Sequence, residues 1–280
     1  MKIYRLNHQD VLEVLPDRLP DTHKGNYGKI LLLCGSRGYT GAASLAAMGA
    51  LRSGAGLVFL AVPESIYSIE AVKLLEPVVI PVDDCNGAYA PDADFQKLMQ
   101  GKDCVLIGPG IGRSAGAESA VRQVLQSFPG PVVLDADGIN LIGQHKNIVR
   151  GRMGTTVLTP HEGEFIRLGG NLSLGRQNAA VEMAKDLHAV VVLKGNHTII
   201  TDGDRIFENT TGNPGMAVGG SGDILAGIIS SLLGQGLNPL DAAACGVWLH
   251  GAAGDLCAKS IGQYGMLPSD LLLTLPRLMK

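Results

Sequence analysis

Residues 29–62 read KILLLCGSRGYTGAASLAAMGALRSGAGLVFLAV. Two runs in this segment, 29–34 and 57–62, are hydrophobic at nearly consecutive positions, as in strands that are buried on both faces of a parallel sheet. An alanine-rich stretch at 42–52 separates them and favours a helix. The segment therefore predicts a strand-helix-strand unit with a glycine-rich turn after its first strand.

The same alternation continues along the chain. Further strands are predicted at 77–82, 103–108, 131–135, 155–159 and 190–194, and helices at 114–127, 175–187, from 221, at 239–258 and from 269 to the end. Between 197–201 and 205–209, Asp202-Gly203-Asp204 predicts a hairpin. We therefore expect an α/β fold of three αβα layers, with a mostly parallel sheet, helices on both faces and an antiparallel edge. Without a linker, residues 1–280 are predicted to form a single domain.

Composition excludes several classes of protein. A net charge of -3 provides no positive field for nucleic acid. The five cysteines are scattered without a C-x-x-C pair, which favours free thiols over disulfides or zinc. Apolar runs stay well short of the roughly 18 residues that a membrane span needs, and the N-terminus lacks a signal pattern. We expect a soluble, cytoplasmic protein with a small-molecule substrate.

Glycine turns follow two of the predicted strands, where ligands of open α/β sheets bind. Residues 35–43 join the first strand to its helix, and Gly108-Pro109-Gly110-Ile111-Gly112 follows another strand. Each motif alone is equally compatible with a tight structural turn.

Acidic residues and one histidine follow two other strands. Asp135 and Asp137 place two carboxylates at the carboxyl end of a strand, where one can hold a ligand hydroxyl or a hydrated metal while the other caps a helix. Thr159-Pro160-His161-Glu162-Gly163-Glu164 opens a helix whose acids are explained by stability, whereas His161 is not.

The densest glycine motif is Gly219-Gly220-Ser221-Gly222-Asp223, ahead of an apolar helix. Its amides and the helix dipole predict a cradle for a phosphoryl group. Asp223 is predicted to act as a general base rather than only as a cap, because an ionised carboxylate would otherwise repel the phosphate. Lys194-Gly195-Asn196-His197-Thr198 supplies a cation, a turn and a hydroxyl suited to nucleotide phosphates.

Small residues at helical spacing surround Trp248, His250 and Asp255. They favour close helix packing and a structural histidine over a metal site or charge relay.

The ordered set of motifs resembles the ADP/ATP-dependent NAD(P)H-hydrate dehydratase family, a carbohydrate-kinase-like branch of the ribokinase-like superfamily. It comprises residues 23–28 (HKGNYG), 35–43, 108–112, 135–138, 159–164, 194–198 and 219–223. The resemblance implies dehydration of the (S)-hydrate of NADH or NADPH, with phosphorylation of the ring hydroxyl by ADP or ATP, the help of Mg²⁺ and loss of phosphate. ADP is the expected donor.

The resemblance also implies residue roles. Asp223 would be the catalytic base, and residues 23–27 would reach into the site. The hydrate would contact Ala42, Ala43, Gly110, Gly112, Asp135, His161 and Asp223. The nucleotide would contact Lys194, Gly195, Asn196, His197, Thr198, Gly219, Gly220, Ser221 and Gly222. Glu164 would hold the metal, directly or through water.

The same resemblance implies a homotetramer. Larger members of the family are often fused to an NAD(P)H-hydrate epimerase, and because only about twenty residues precede the first motif, we expect that epimerase to be a separate protein. The alternative functions are a kinase of a small hydroxymethyl or hydroxyethyl heterocycle and a non-catalytic nucleotide sensor. His161 favours the dehydratase, since many kinases of this fold carry Asn at that position.

Overall fold

The computed structural model describes residues 2–143 and 145–280, with only the backbone of Leu174. Its strands are β1 (Ile3–Tyr4), β2 (Lys29–Leu33), β3 (Leu57–Pro63), β4 (Val78–Val82), β5 (Asp84–Cys85), β6 (Ala88–Tyr89), β7 (Cys104–Ile107), β8 (Val132–Leu134), β9 (Thr156–Leu158), β10 (Val190–Leu193), β11 (Ile199–Thr201) and β12 (Ile206–Glu208). Its helices are α1 (His8–Val14), α2 (Thr40–Arg52), α3 (Glu64–Lys73), α4 (Gln96–Met99), α5 (Ala115–Ser127), α6 (Asp137–Leu141), α7 (Lys146–Arg150), α8 (Glu162–Arg167), α9 (Arg176–Leu187), α10 (Ser221–Gly234), α11 (Pro239–Ile261) and α12 (Pro268–Thr274).

The main sheet has ten strands within the described residues, in the order β1-β12-β11-β10-β9-β8-β7-β2-β3-β4. β11 is antiparallel to both of its neighbours, and the other pairings of this sheet are parallel. The predicted parallel core and hairpin are confirmed. The edge strand beyond the hairpin is β1, which pairs with β12. A strand of two residues is too short to show a recognisable pattern in the sequence.

Helices cover both faces of the sheet. Alternate side chains of β2 enter different cores, because successive residues of a strand point to opposite faces. Ile30 and Leu32 join the core beneath α2, α10 and α11, whereas Leu31 and Leu33 join the core beneath α5 and α9. The predicted three layers are therefore confirmed.

Glycines bring α2 and α10 into backbone contact. A Cβ on Gly227 would lie 2.2 Å from the carbonyl oxygen of Ala46, and one on Gly49 would lie 2.6 Å from that of Ile224. Only hydrogen fits at both positions. This packing fixes the depth and direction of α10 and so places its N-terminus.

The C-terminal segment differs from its prediction. The helix expected from residue 269 to the end is α12, followed by a short 3₁₀ turn at Leu275–Leu278. Pro276 lacks the N–H that would continue an α-helix. In the part of the chain described, no helix combines the length and apolar character required to span a membrane.

Candidate active site

The two glycine loops meet where the sheet changes direction. From β2 the sheet extends through β3 and β4 on one side, and from β7 through β8 and β9 on the other, an arrangement that opens a crevice at the carboxyl ends of the strands. There the Gly35 N–H donates to the Pro109 carbonyl at 2.8 Å, and Ser36 Oγ donates to the Gly110 carbonyl at 2.7 Å. The prediction that these motifs share one edge of the sheet is confirmed.

The two predicted alanine contacts are placed differently. Ala43 is fully buried, and a Cβ on Gly35 would lie 2.8 Å from its Cβ. Ala42 is only half-buried, and a Cβ on Gly110 would lie 2.9 Å from its Cβ. Of the two alanines, Ala42 is therefore the one that can touch a ligand beside the bare Gly110 backbone.

The N-terminus of α10 is free of side-chain caps. Gly220 is its N-cap residue with φ of +98°, and no side chain accepts from the first-turn amides. A Cβ on Gly219 would meet no atom within 4 Å. The first N–H groups of a helix lack partners within the helix, and the helix dipole favours an anion beside them. The predicted phosphate cradle therefore has the geometry of an anion site.

Asp223 lies in the first turn of α10, and its carboxyl has an altered acidity. Burial, and then the negative charge of Asp135, raise the pKa of Asp223 to about 6, while Lys194 acts in the opposite direction. The carboxyl is therefore mostly ionised at neutral pH yet basic enough to accept a proton. A pKa close to the working pH is what general-base catalysis requires.

A partly exposed Lys194 forms an ion pair with the buried Asp135 beside Asp223. Lys194 Nζ lies 2.8 Å from Asp135 Oδ1, and Asp135 is 2% exposed. The Thr159 hydroxyl donates to the same oxygen at 2.7 Å. Burial lowers the pKa of Lys194, but Asp135 and Glu164 outweigh burial and raise it. A permanently charged ammonium therefore lies among carboxylates at the carboxyl ends of three strands.

Asp137 turns away from this cluster. Its carboxylate accepts from the Gly112 N–H at 3.1 Å and from Arg113 Nε at 3.0 Å. The N-cap residue of α6 is Ala136, with φ of 49° and no side-chain cap. Asp137 therefore braces the second glycine loop rather than capping a helix, and Asp135 is the carboxylate that faces Lys194 and Asp223.

Comparison with known proteins identifies the family. The sequence pattern of the NAD(P)H-hydrate dehydratase family matches residues 30–277. The chain belongs to this family. It is 42% identical over 274 residues to the bifunctional NAD(P)H-hydrate repair enzyme of Moorella thermoacetica, covering 95% of this chain and 52% of the relative. It thus spans about half the length of the curated relatives that it matches.

One solved structure matches this chain over almost the whole length of both proteins. The ADP/ATP-dependent NAD(P)H-hydrate dehydratase of Bacillus subtilis, co-crystallised with ATP and Mg²⁺, is 33% identical. Its TM-score is 0.84, and the match covers 99% of this chain and 98% of that one. The predicted family and the ribokinase-like fold are confirmed.

His161 has a structural task in this member of the family. It is the N-cap residue of α8, and its Nδ1 accepts from the Gly163 N–H at 3.0 Å. Glu164 Oε2 accepts from the His161 N–H at 2.9 Å, which completes a capping box. Stability therefore explains this histidine after all. Its contact with the hydrate stays a prediction.

Side chains of α9 and β12 contact the predicted nucleotide loop, residues 194–198. Arg176 donates to the carbonyl groups of Leu193, Lys194 and Asn196 at 2.6 to 3.0 Å. His197 Nδ1 lies 3.0 Å from Glu208 Oε1. A cavity of about 400 Å³ is lined in part by Arg176, Asn196 and His197. The loop is thus connected to α9 and β12, and the space that it borders is an open depression on the surface.

The HKGNYG motif lies elsewhere in the chain. Gly28 directly precedes β2. A Cβ on Gly28 would lie 2.5 Å from the carbonyl oxygen of Gly234, at the C-terminal end of α10. Asp223 is at the start of that helix, and a 14-residue helix is about 21 Å long. Within one chain, residues 23–27 therefore lie at the edge of the sheet away from Asp223, because they precede the strand rather than follow it. Their contact with a site stays a prediction.

One contact in the site is not predicted by the sequence. His250, interpreted as structural, projects from α11 and places its Nε2 3.2 Å from Ser221 Oγ in the phosphate cradle. Asp255, on the same helix, accepts from the Gly212 N–H and from Asn213 Nδ2 at 2.9 and 3.0 Å. The sequence shows that His250 and Asp255 lie close together on one helix. It does not show which residues outside that helix they contact.

Proposed function

We propose that the protein dehydrates (S)-hydrated NADH and NADPH with ADP or ATP as phosphoryl donor. The observation that carries this proposal is Asp223, a carboxyl with a pKa of about 6 in the first turn of an uncapped helix. A base and an anion site thus lie next to each other at the switch point of the sheet. Phosphoryl transfer to a hydroxyl needs both.

The first step activates the hydroxyl of the hydrated ring. Asp223 accepts the hydroxyl proton, and the oxygen forms a bond to the terminal phosphorus of the nucleotide. The bond between that phosphorus and the bridging oxygen breaks, and AMP leaves when ADP is the donor. The free amides of Gly222 and Asp223 would stabilise the charge that develops on the transferring group.

The second step releases the repaired cofactor. The ring carbon–oxygen bond breaks with its electron pair going to phosphate, and the neighbouring ring carbon loses a proton to water, so the electron pair of that C–H bond forms the missing double bond. Hydroxide is a poor leaving group and phosphate a good one, which explains why a nucleotide is consumed. Ala42, Gly110, Gly112, Asp135 and His161 would hold the ring.

The carboxylates of the site fit a divalent cation that arrives with the nucleotide. Asp135 contacts Lys194 directly, and the negative charges of Asp135, Glu164 and Asp223 all raise the pKa of Lys194. Among the described residues no group of three or more His, Cys, Asp or Glu could hold a metal by itself, and Mg²⁺ commonly keeps water and binds substrate phosphates. When bound, it would neutralise phosphate charge. Glu164 would meet it through water, because both carboxylate oxygens already face His161.

Repair of the reduced cofactor tests this proposal. Purified protein is mixed with chemically hydrated NADH or NADPH and with ADP or ATP in turn, while the absorbance of the reduced nicotinamide is followed. We expect absorbance to return with release of one phosphate per cofactor, fastest with ADP. A lasting phosphomonoester would instead indicate a kinase, and nucleotide binding without any turnover would indicate a sensor.

The cellular setting follows from the same proposal. We infer a cytoplasmic homotetramer that receives the (S) form from an NAD(P)H-hydrate epimerase. Exposed apolar side chains beside β4, the last strand of the described sheet, support self-association, namely those of Ile69, Val72 and Leu75. Light scattering of the purified protein gives the number of subunits, and addition of an epimerase should allow complete repair of a mixture of both epimers.

A further inference from the structure

The contact between α11 and the phosphate cradle involves a histidine that the proposed reaction does not use. His250 is 9% exposed, and its Nε2 lies 3.2 Å from Ser221 Oγ. Ser221 is the first residue of α10 and follows the N-cap glycine directly. A serine hydroxyl has one proton to donate and can also accept. If one partner donates to it, its own proton is free to be donated to a second partner.

The ring is neutral in its surroundings. Burial lowers the pKa of His250 to about 4, a hydrogen bond with the Ser221 backbone opposes this effect, and the positive charge of Lys194 adds to it. A neutral imidazole carries one N–H, and the nitrogen that bears it depends on its hydrogen-bond partner. The hydrogen-bond contact of the ring to Ser221 is made by Nε2, to the Ser221 hydroxyl. A phosphate bound in the cradle can only accept hydrogen bonds, so it favours the tautomer in which Nε2 carries the proton and leaves the hydroxyl proton of Ser221 free to donate.

We propose that His250 is a positioning residue: its Nε2–H donates to Ser221 Oγ, so that the Ser221 hydroxyl proton points into the cradle and donates to the nucleotide phosphate. The opposite tautomer would take the serine proton and leave oxygen lone pairs facing an anion. His250 thus adds one donor to the backbone amides without adding a charge. This inference rests on the proposed function, since it assigns the cradle to a nucleotide.

The effect on nucleotide affinity tests the proposal without requiring turnover. Binding of ADP with Mg²⁺ is measured by calorimetry for the wild type and for Ser221→Ala, His250→Leu and the double variant. Loss of one hydrogen bond from a hydroxyl to the charged phosphate should weaken binding about tenfold in each single variant. The double variant should be no weaker than either, because both changes remove the same interaction.

Two further variants separate positioning from folding. His250→Gln keeps an amide N–H at about the reach of Nε2 and should bind ADP as the wild type does. His250→Asn is shorter and should bind ADP about tenfold more weakly. If His250→Leu does not fold, these two variants decide the question. Ser230→Ala is the matched control, because it removes a buried hydroxyl of α10 that donates to the Gly227 carbonyl, far from the cradle.

The outcomes are distinguishable from a failure of the proposed function. Equal ADP affinity in the wild type, His250→Leu and His250→Asn, or additive losses in the double variant, would overturn the positioning role. A wild type that binds neither ADP nor ATP would refute the proposed function instead. A His250→Gln enzyme that binds like the wild type and keeps its dependence of rate on pH would agree with the role and exclude His250 as a base.

Discussion

Replacement of Asp223 by Asn should stabilise the protein, and the gain should depend on pH. The pKa of Asp223 rises from 3.8 to about 6 on folding, because burial and Asp135 disfavour the ionised form. A carboxyl whose pKa is raised binds more protons when folded, so it costs stability as pH rises through that interval. The cost is complete above pH 6 and disappears below pH 3.8.

The magnitude follows from the shift. About two pKa units at 1.36 kcal/mol each correspond to a cost of about 3 kcal/mol at about pH 8. At about pH 4.5 the unfolded chain is largely ionised and the folded carboxyl is not, so the cost falls to about 1 kcal/mol. Asparagine has a similar shape and no charge. Asp223→Asn should therefore gain most of these amounts.

Urea unfolding at both pH values measures the two gains. Asp137→Asn is the matched control. It makes the same chemical change at a carboxylate that accepts hydrogen bonds from the Gly112 N–H and from Arg113, so it weakens those bonds. We expect that variant to lose up to about 1 kcal/mol at either pH. A loss of stability in Asp223→Asn, or a gain that is equal at both pH values, would refute the electrostatic description of the site.

Three further predictions use the same site. The rate of repair should fall on the acid side with a midpoint near pH 6 as Asp223 becomes protonated, and Asp135→Asn should move this midpoint lower by about one unit in a pH–rate profile, since it removes a repelling charge. Lys194→Met should cost about 3 kcal/mol in urea unfolding because it leaves Asp135 buried without its cation, whereas the double variant Asp135→Asn/Lys194→Met should recover most of the loss. Gly227→Ala should lower the free energy of unfolding by about 2 kcal/mol and reduce the rate, because its Cβ meets the Ala46 carbonyl; unchanged stability would contradict the close packing of α2 and α10.

Much of the site follows from one rule about parallel sheets. Strand ends can be recognised as apolar runs that stop at glycine or acidic residues, and their carboxyl ends share one edge. On that basis the sequence predicts one shared edge for Gly35, Gly108, Asp135 and Lys194. The same rule predicts the opposite edge for the HKGNYG motif, because that motif precedes β2.

The pairings within the site could not be predicted. Lys194 and Asp135 are 59 residues apart, and only the registers of β8, β9 and β10 bring them within 2.8 Å. The sequence also could not decide that Asp137 turns to Gly112, because that depends on the φ of 49° at Ala136. His250 reaches Ser221 across two packed helices. Such contacts depend on helix packing, which the spacing of residues along one helix does not reveal.

The central claim is that Asp223 removes the proton that starts phosphoryl transfer to the hydrated ring. Its most direct measurement is a single turnover of (S)-hydrated NADH with excess ADP and Mg²⁺, comparing wild type with Asp223→Asn, with AMP, phosphate and reduced nicotinamide all quantified. The account predicts that the wild type forms all three in equal amounts and that the variant binds ADP yet forms none. Formation of AMP and reduced nicotinamide by Asp223→Asn at the wild-type rate would contradict it.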